Sequence, residues 1–196
     1  MFLYRLARNI VKIVLYPLLR VQVHGKEHIP KDGPVIICSN HISNFDPPVV
    51  AITSPRNVHF MAKAELFEKK FLGKFLLAIQ SFPVKRGMKD RNALRMGLDV
   101  LEKGHVLGLF PEGTRSKTGK MGEPLAGAGF FALRSKATIV PCAIIGPYKI
   151  GKKLNVIYGK PVDMDVAREN KLSAKEAVTK VMDEIQTLIS EFDAQK

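Results

Sequence analysis

Two side chains that can move a proton lie five positions apart in the stretch SNHISNFDPP, which covers residues 39–48. On one continuous helix His41 and Asp46 would point about 140° apart, on different faces. The prolines favour another arrangement, because proline is accepted in the first turn of a helix. We therefore expect Asp46 to be the N-cap of a helix that begins at Pro47, and His41 to lie in the loop before it.

The apolar run PVIIC before this loop is rich in β-branched residues and predicts a buried strand. His41 then follows the carboxyl end of a strand, which is where open α/β sheets usually bind ligands. An imidazole titrates near neutral pH and can accept the proton of a hydroxyl group, while a neighbouring carboxylate orients it. By itself, such a pair is more often a structural hydrogen bond than a catalytic pair.

Two further loops follow strand-like runs and carry cations. The first, FPVKRG, ends an apolar run at Arg86, and the second, FPEGTRS at 110–116, holds Glu112 and Arg115. A guanidinium group presents a planar fork of donors that matches a phosphate group. Together with the His–Asp pair, these loops would supply a general base, its orienting carboxylate and a phosphate clamp.

The joint pattern resembles the glycerolipid acyltransferases of the 1-acylglycerol-3-phosphate acyltransferase type. The H-x4-D motif of that family matches NHISNFD, and its second block matches FPVKRG. Its third block matches FPEGTRS without change, and its fourth, an apolar V-P stretch, matches IVPCAIIG with Pro141. The four blocks occur in the family order within residues 40–146. The fourth block is expected to contribute packing rather than chemistry.

The resemblance implies acyl transfer from a thioester to a lipid hydroxyl group. His41 would remove the proton of the attacking hydroxyl, and Asp46 would fix the imidazole tautomer and stabilise the imidazolium. No covalent intermediate, cofactor or metal ion is needed. Glu112 would orient an arginine or the acceptor hydroxyl. The residues expected to bind the acceptor and its phosphate group are Lys63, Arg86, Glu112, Gly113, Thr114 and Arg115.

The charge of the chain predicts an anionic partner. The 196 residues have a formal net charge of +13, which suits a nucleic acid, an anionic membrane or a phosphorylated small molecule. No tryptophan, no basic–aromatic interleaving and no nucleic-acid-binding signature occurs, so nucleic acid is the weaker candidate. Cys38 and Cys142 lie in apolar runs, and we expect buried thiols. The five histidines show no metal-ligand spacing.

The first twenty residues, MFLYRLARNIVKIVLYPLLR, are expected to form a helix that lies in a membrane interface. Charges interrupt the run too often for a signal peptide or a spanning helix. One cationic stripe is formed by Arg5, Arg8, Asn9 and Lys12, and the apolar side by Phe2, Leu3, Leu6, Ile10, Val14 and Leu18. Pro17 should end or kink the helix. The alternative is a helix packed on the core, with its basic stripe in water.

Strand and helix signals alternate after this helix, which predicts an α/β fold with a central mixed β-sheet flanked by helices. We expect one catalytic domain at 21–196, preceded by the membrane helix at 1–20. Strands are expected at 20–25, 33–39, 57–63, 80–86, 105–110, 138–146 and 154–159, and helices from 47, at 64–79, 90–104 and 125–137, and after a capping box at Ser173 and Glu176. In the helix at 64–79 we expect the row of Phe67, Phe71 and Phe75 to face the core rather than lipid.

Three other classes of protein are weaker interpretations. A serine hydrolase would use Ser39 or Ser43 beside His41, but the chain has no G-x-S-x-G elbow. The stretch GPYKIGKK at 146–153 resembles a Walker A loop, but Lys153 replaces its last Ser/Thr and a strand follows. A non-catalytic membrane-binding protein would use only the basic surface and the first helix.

The sequence therefore predicts a peripheral acyltransferase on the cytoplasmic side of the cell membrane. The expected acceptor is lysophosphatidate, with glycerol 3-phosphate or a lysolipid bearing another headgroup as alternatives. Acyl-CoA and acyl-carrier protein both remain open as donor, because both are anionic and would suit the basic surface.

Overall fold

The computed structural model describes residues 2–85, 90–116 and 118–195. Its strands are β1 (Val21–His24), β2 (Val35–Ser39), β3 (Val58–Lys63), β4 (Ser81–Val84), β5 (Val106–Leu109), β6 (Thr138–Ile145) and β7 (Leu154–Tyr158). Its helices are α1 (Phe2–Leu18), α2 (Asp46–Thr53), α3 (Ala64–Glu68), α4 (Lys70–Ala78), α5 (Arg91–Glu102), α6 (Ala126–Arg134), α7 (Asp165–Glu169) and α8 (Ala174–Ala194). The expected α/β fold with a mixed sheet is confirmed.

Seven strands form one sheet in the order β1-β7-β6-β2-β5-β3-β4. The five strands from β6 to β4 in that order run parallel to one another, whereas β7 is antiparallel to β6 and β1 is parallel to β7. The carboxyl ends of the five parallel strands therefore meet at one edge. The three sequence loops that carry the expected chemistry all follow strands of this group.

Strand β2 is buried along its whole length, at the centre of the sheet. Val35 and Ile37 face one apolar cluster, and Ile36 and Cys38 face another on the opposite side. A strand covered on both faces is expected to read as a continuous apolar run, which explains the sequence VIICS.

The connections that leave β2 and β5 diverge. β2 leads through α2, on the face of the first cluster, towards β3, whereas β5 leads through α6, on the opposite face, towards β6. The two strands are neighbours, and their connections run to opposite sides of the sheet. Such a switch point leaves a crevice at the carboxyl ends of the strands, where ligands bind in open α/β sheets.

Helix α1 is docked on the body of the protein by one of its sides. Leu15 is buried in the first cluster, and the hydroxyl group of Tyr4 accepts a hydrogen bond from the N–H of Val58 at 2.9 Å. The guanidinium group of Arg8 donates to the carbonyl group of Ser54. The expectation that Arg8 belongs to the cationic stripe of a membrane-interface helix is therefore wrong, because Arg8 lies on the side of the helix that carries the tertiary contacts. None of the helices in the described ranges has both the length and the apolar character needed to cross a membrane.

The segment at 64–79 forms two helices rather than one, with a break at Lys69. The helices approach so closely that a Cβ atom on Gly73 would lie 2.3 Å from the carbonyl oxygen of Phe67. The expected core position of the aromatic row is wrong for Phe71 and Phe75, which are 87% and 46% exposed. α4 is apolar on more than one side, so its periodicity did not identify the inward face.

Candidate active site

The expected His–Asp contact is present in the loop between β2 and α2. Nδ1 of His41 lies 2.7 Å from Oδ2 of Asp46, and both residues are buried. The same carboxylate oxygen accepts hydrogen bonds from the N–H groups of Ile42 and Ser43, each at 2.7 Å. Three donors therefore converge on one oxygen and close the loop into a fixed ring.

Asp46 is not the N-cap of α2, contrary to the expectation. Phe45 has that position, and Asp46 is the first helical residue. An N-cap at Asp46 would place Pro47 and Pro48, which have no N–H to donate, at the next two positions. The N–H of Val49 donates to the carbonyl oxygen of Phe45 at 2.9 Å. The carboxylate turns back instead and accepts hydrogen bonds from the preceding loop. Asp46 thus begins the helix with its main chain, while its side chain bonds to His41 and the loop before it.

The protonation pattern of the imidazole follows from this contact. A carboxylate only accepts hydrogen bonds, so the proton of a neutral His41 ring lies on Nδ1, and Nε2 carries the free lone pair. Nε2 has no hydrogen-bond partner among residues 2–85, 90–116 and 118–195. One face of the imidazole ring stacks on the ring of Phe110, with centroids 4.2 Å apart and planes at 23°. Sequence reasoning had assigned no role to Phe110, although it is the first residue of the third block.

The third block also holds the main chain of His41. Oε1 of Glu112 accepts from the N–H of His41 at 2.8 Å, and Oε2 accepts from the N–H of Gly122 at 2.8 Å. The N–H of Ser116 donates to the carbonyl oxygen of His41, also at 2.8 Å. A buried carboxylate requires such donors, because an unpaired charge is costly to bury. Both oxygens of Glu112 thus accept from main-chain N–H groups, and its expected role towards an arginine or the acceptor hydroxyl stays a prediction.

The expected phosphate-binding residues lie along the same edge of the sheet. Arg115 and Thr114 are exposed in the loop after β5, and Lys63 is exposed at the end of β3. Within the described part of the chain, no group accepts a hydrogen bond from the guanidinium of Arg115. β3 lies two strand positions from β2, so Lys63 is displaced sideways by about 10 Å. Arg86 lies outside the described residues.

Gly113 is engaged in the local turn. Its N–H donates to the carbonyl oxygen of Phe110 at 2.9 Å, and its φ of 66° lies in the left-handed region that favours glycine. The expectation that this N–H is free to bind phosphate is therefore not met. The residue shapes the turn that presents Thr114 and Arg115.

Two further polar residues at this edge were missed by the sequence reasoning. The side chain of Asn40 bonds to both main-chain groups of Ile144, donating to its oxygen at 3.0 Å and accepting from its nitrogen at 2.7 Å. The hydroxyl group of Tyr148 donates to Oδ1 of Asp46 at 2.5 Å. Burial, followed by the charge of Asp46, raises the pKa of Tyr148 well above its ordinary value, so the hydroxyl remains a donor. The sequence signal for Tyr148 was its position just after the predicted strand at 138–146, at the carboxyl end of that strand.

Other nucleophiles are poorly placed. Burial raises the pKa of Cys38 and Cys142 to about 12, so both thiols stay protonated, and their expected burial is confirmed. The hydroxyl group of Ser39 donates to the carbonyl oxygen of Asn40, and that of Ser43 accepts from the N–H of Phe45. Neither serine has the hydrogen bond to an imidazole that activates a nucleophile. In the portion of the chain that is described, no three His, Cys, Asp or Glu residues are grouped as metal ligands.

The sequence and the structure both resemble known proteins. The sequence model of a family described as Acyltransferase matches residues 20–145. A 1-acyl-sn-glycerol-3-phosphate acyltransferase of Bacillus subtilis (strain 168) is 32% identical over 200 residues, which cover 97% of each chain. A protein of the same name from Streptococcus pneumoniae is 27% identical, over 96% of this chain and 74% of its own.

A solved structure shares the fold. The crystal structure of the 1-acyl-sn-glycerophosphate acyltransferase PlsC from Thermotoga maritima superposes on this chain with a TM-score of 0.79. The match covers 97% of this chain and 80% of the other, at 24% sequence identity. The fold and the family match therefore agree.

Proposed function

Because the chain belongs to the 1-acyl-sn-glycerol-3-phosphate acyltransferase family, we propose that it acylates 1-acyl-sn-glycerol 3-phosphate to give phosphatidic acid in phospholipid biosynthesis. The donor is a thioester, either acyl-CoA or acyl-carrier protein. The single observation that carries the reaction type is the 2.7 Å contact between His41 and Asp46 at the switch point of the sheet. The full-length relative from Bacillus subtilis supports the choice of acceptor.

The chemistry begins at Nε2 of His41. As the free hydroxyl group of the acceptor attacks the thioester carbon, its proton moves to Nε2, and the imidazole becomes positively charged. Asp46 stabilises that charge and keeps Nδ1 protonated throughout, as the aspartate of a hydrolase triad does. The carbon–sulfur bond then breaks, and the thiolate that leaves recovers the proton from Nε2. A positioned base of this kind contributes about 10²–10⁴-fold to the rate.

The positions of the cations suit an acceptor anchored by its phosphate group. Arg115 is exposed in the loop whose Glu112 and Ser116 hold the main chain of His41. A bidentate contact from its guanidinium would therefore fix the phosphate at a set distance from the base. Lys63, the last residue of β3, lies further along the same edge and would extend the cationic surface. Arg86 remains a candidate from its sequence motif. Binding the phosphate away from the reacting hydroxyl is how remote binding energy serves the reaction.

The outer surface of α1 suits a peripheral enzyme on the cytoplasmic face of the cell membrane. The exposed apolar residues of α1 are Phe2, Leu3, Leu6, Ile10, Ile13, Val14 and Leu18. On a helical wheel most of them form one continuous arc on the side away from the buried Tyr4 and Leu15. A soluble surface rarely exposes so large an apolar patch, and the adjacent Arg5 and Lys12 suit anionic headgroups.

The exposed aromatic side chains of α4 would add a second contact with lipid. Phe71 and Phe75 project beside Lys70 and Lys74, a combination typical of membrane interfaces. The connections β2–α2–β3 and β3–α3–α4–β4 advance in the same direction across the sheet. Right-handed crossovers place both on the same face, so α4 shares the side of the sheet on which α1 packs against α2.

The function is tested with purified protein, acyl-CoA and lysophosphatidate presented in vesicles. We expect free thiol and phosphatidic acid to appear in equal amounts, and His41→Ala to abolish both. Glycerol 3-phosphate and lysophosphatidylcholine serve as competing acceptors. Preference for either of them would reassign the acceptor. Full activity of His41→Ala would contradict the role of His41 as the base, and absence of acyl transfer by the wild-type protein would leave only a membrane-binding role for this chain.

A further inference from the structure

The two carboxylate oxygens of Asp46 have different partners. Oδ2 accepts three hydrogen bonds from residues of its own loop, including the one from His41. Oδ1 accepts from the hydroxyl group of Tyr148, which lies 102 positions away in the chain. We propose that Tyr148 is a positioning residue for acyl transfer, which orients the carboxylate of Asp46 and limits the negative charge it presents to His41. This inference rests on the proposed function of the His–Asp pair.

Contacts on both sides of its loop hold Tyr148 with its hydroxyl group against Asp46. Its ring packs on Phe45, the residue before Asp46, with centroids 6.1 Å apart and planes at 28°. Gly146 begins the loop at a φ of 122°, and a Cβ atom there would lie 2.5 Å from the carbonyl oxygen of Lys153. At the other end of the loop, the N–H of Gly151 donates to the carbonyl oxygen of Leu18 in α1. The tyrosine is therefore presented by a loop that is fixed on both sides.

Few other ionisable groups surround the carboxylate. Within the described part of the chain, the groups that face Asp46 and His41 are Tyr148, the buried thiol of Cys142 and the carboxylate of Glu112. The thiol stays neutral because burial raises its pKa to about 12, and Glu112 is engaged by main-chain N–H groups. Among the described residues, Tyr148 and His41 are thus the two whose side chains hydrogen-bond to Asp46.

Removing the hydroxyl group of Tyr148 should move the pH profile of kcat/KM in a predictable direction. In Tyr148→Phe the carboxylate loses one of its four donors, so more negative charge faces the imidazole. The imidazolium is then held more tightly, and the acidic limb of the pH profile of kcat/KM should move up by roughly half a pH unit. The carboxylate is also less firmly oriented, so we expect kcat to fall about 10-fold. KM for lysophosphatidate should not change, because Tyr148 carries no part of the phosphate site.

Tyr158→Phe is the matched control. It also removes a buried hydroxyl group, which lies 2.7 Å from Oγ1 of Thr53 and makes no contact with Asp46. We expect it to lower stability without moving the acidic limb. If Tyr148→Phe lowers kcat and raises KM with an unshifted limb, or if Tyr158→Phe shifts the limb equally, the proposal is overturned.

A second measurement does not depend on turnover. The titration of the His41 ring nitrogens is followed by NMR in the wild-type protein and in both variants. We expect the midpoint to rise in Tyr148→Phe alone, by roughly the same half unit as the kinetic limb. An unchanged midpoint overturns the role of Tyr148. Absence of acyl transfer by the wild-type protein, with a raised midpoint in the variant, would instead count against the proposed function while the positioning contact stands.

Discussion

Oε1 of Glu112 accepts a hydrogen bond from the main-chain N–H of His41 at 2.8 Å, although the two residues are 71 positions apart. The acid of the FPEGTRS stretch therefore holds the backbone that carries the base. Its second oxygen holds Gly122, so the carboxylate also ties together the two ends of its own loop. We therefore expect Glu112 to act on the reaction through the position of His41 and of the loop that carries Arg115.

Glu112→Gln tests that role. The amide group of glutamine has only one acceptor oxygen, so either His41 or Gly122 loses its partner, and a buried N–H left unpaired costs about 1–3 kcal/mol. We expect kcat to fall by about 10–100-fold with KM for the acceptor unchanged. Glu123→Gln, an exposed acid in the same loop, is the control. A raised KM at constant kcat would instead assign Glu112 to substrate binding.

The His–Asp pair should behave as a unit. His41→Ala removes the base and Asp46→Asn removes the acceptor that holds Nδ1, so each should lower kcat by at least about 10²-fold. The double variant should be little worse than either single variant. Thiol release measures the loss, and His24→Ala, an exposed histidine on β1, should retain full activity. Additive losses in the double variant would mean that the two side chains act independently.

Arg115 should contribute mainly to acceptor binding. Arg115→Ala is expected to raise KM for lysophosphatidate by at least about 10-fold, because a charge-assisted pair of hydrogen bonds is lost. Arg115→Lys should raise KM less than Arg115→Ala does, but KM should stay above the wild-type value, because an ammonium group lacks the planar fork of donors. Arg134→Ala, an exposed arginine at the end of α6, controls for the loss of one charge. A drop in kcat comparable to that of His41→Ala, with unchanged KM, would assign Arg115 to the transition state.

The outer arc of α1 should control binding to vesicles. Ile13 is 74% exposed, so Ile13→Asp should leave the fold intact while it places a charge in the lipid-facing surface. We expect partition onto vesicles that contain anionic lipid to fall by at least about 10-fold in a sedimentation assay. Val166→Asp, at an exposed apolar position on α7, should have no effect. Equal loss in both variants would contradict a specific role for α1.

Alanine substitutions at two glycines of α6 should change the free energy of unfolding in opposite directions. A Cβ atom on Gly129 would lie 1.8 Å from the carbonyl oxygen of Ala174, so Gly129→Ala must push α6 away from α8. We expect the free energy of unfolding to fall by about 1–3 kcal/mol. A Cβ atom on Gly127 would have no heavy atom within 4 Å, so Gly127→Ala should raise the free energy of unfolding by about 0.5 kcal/mol. Urea denaturation distinguishes the two, and a loss of stability in both would mean that helix propensity does not govern position 127.

The sequence determined those features that depend on residues close in the chain. The Asp46 side chain reaches His41 across five positions, because the two prolines after it have no N–H to donate and the N–H of Val49 is used by Phe45. Strand β2 is identified by its own unbroken apolar run. The capping box of Ser173 and Glu176 begins α8 as expected, because both of its hydrogen bonds are local. In each case the partner lies within a turn or two of the chain.

The tertiary structure decided which distant residues complete the site. Tyr148 and Glu112 reach the His–Asp pair because β6 and β5 flank β2, and no local pattern encodes that strand order. It likewise decided which side of a helix is buried, turning Arg8 inward and Phe71 outward. A helix with apolar residues on more than one side offers several faces of similar hydrophobicity. Only packing against the rest of the protein selects among them.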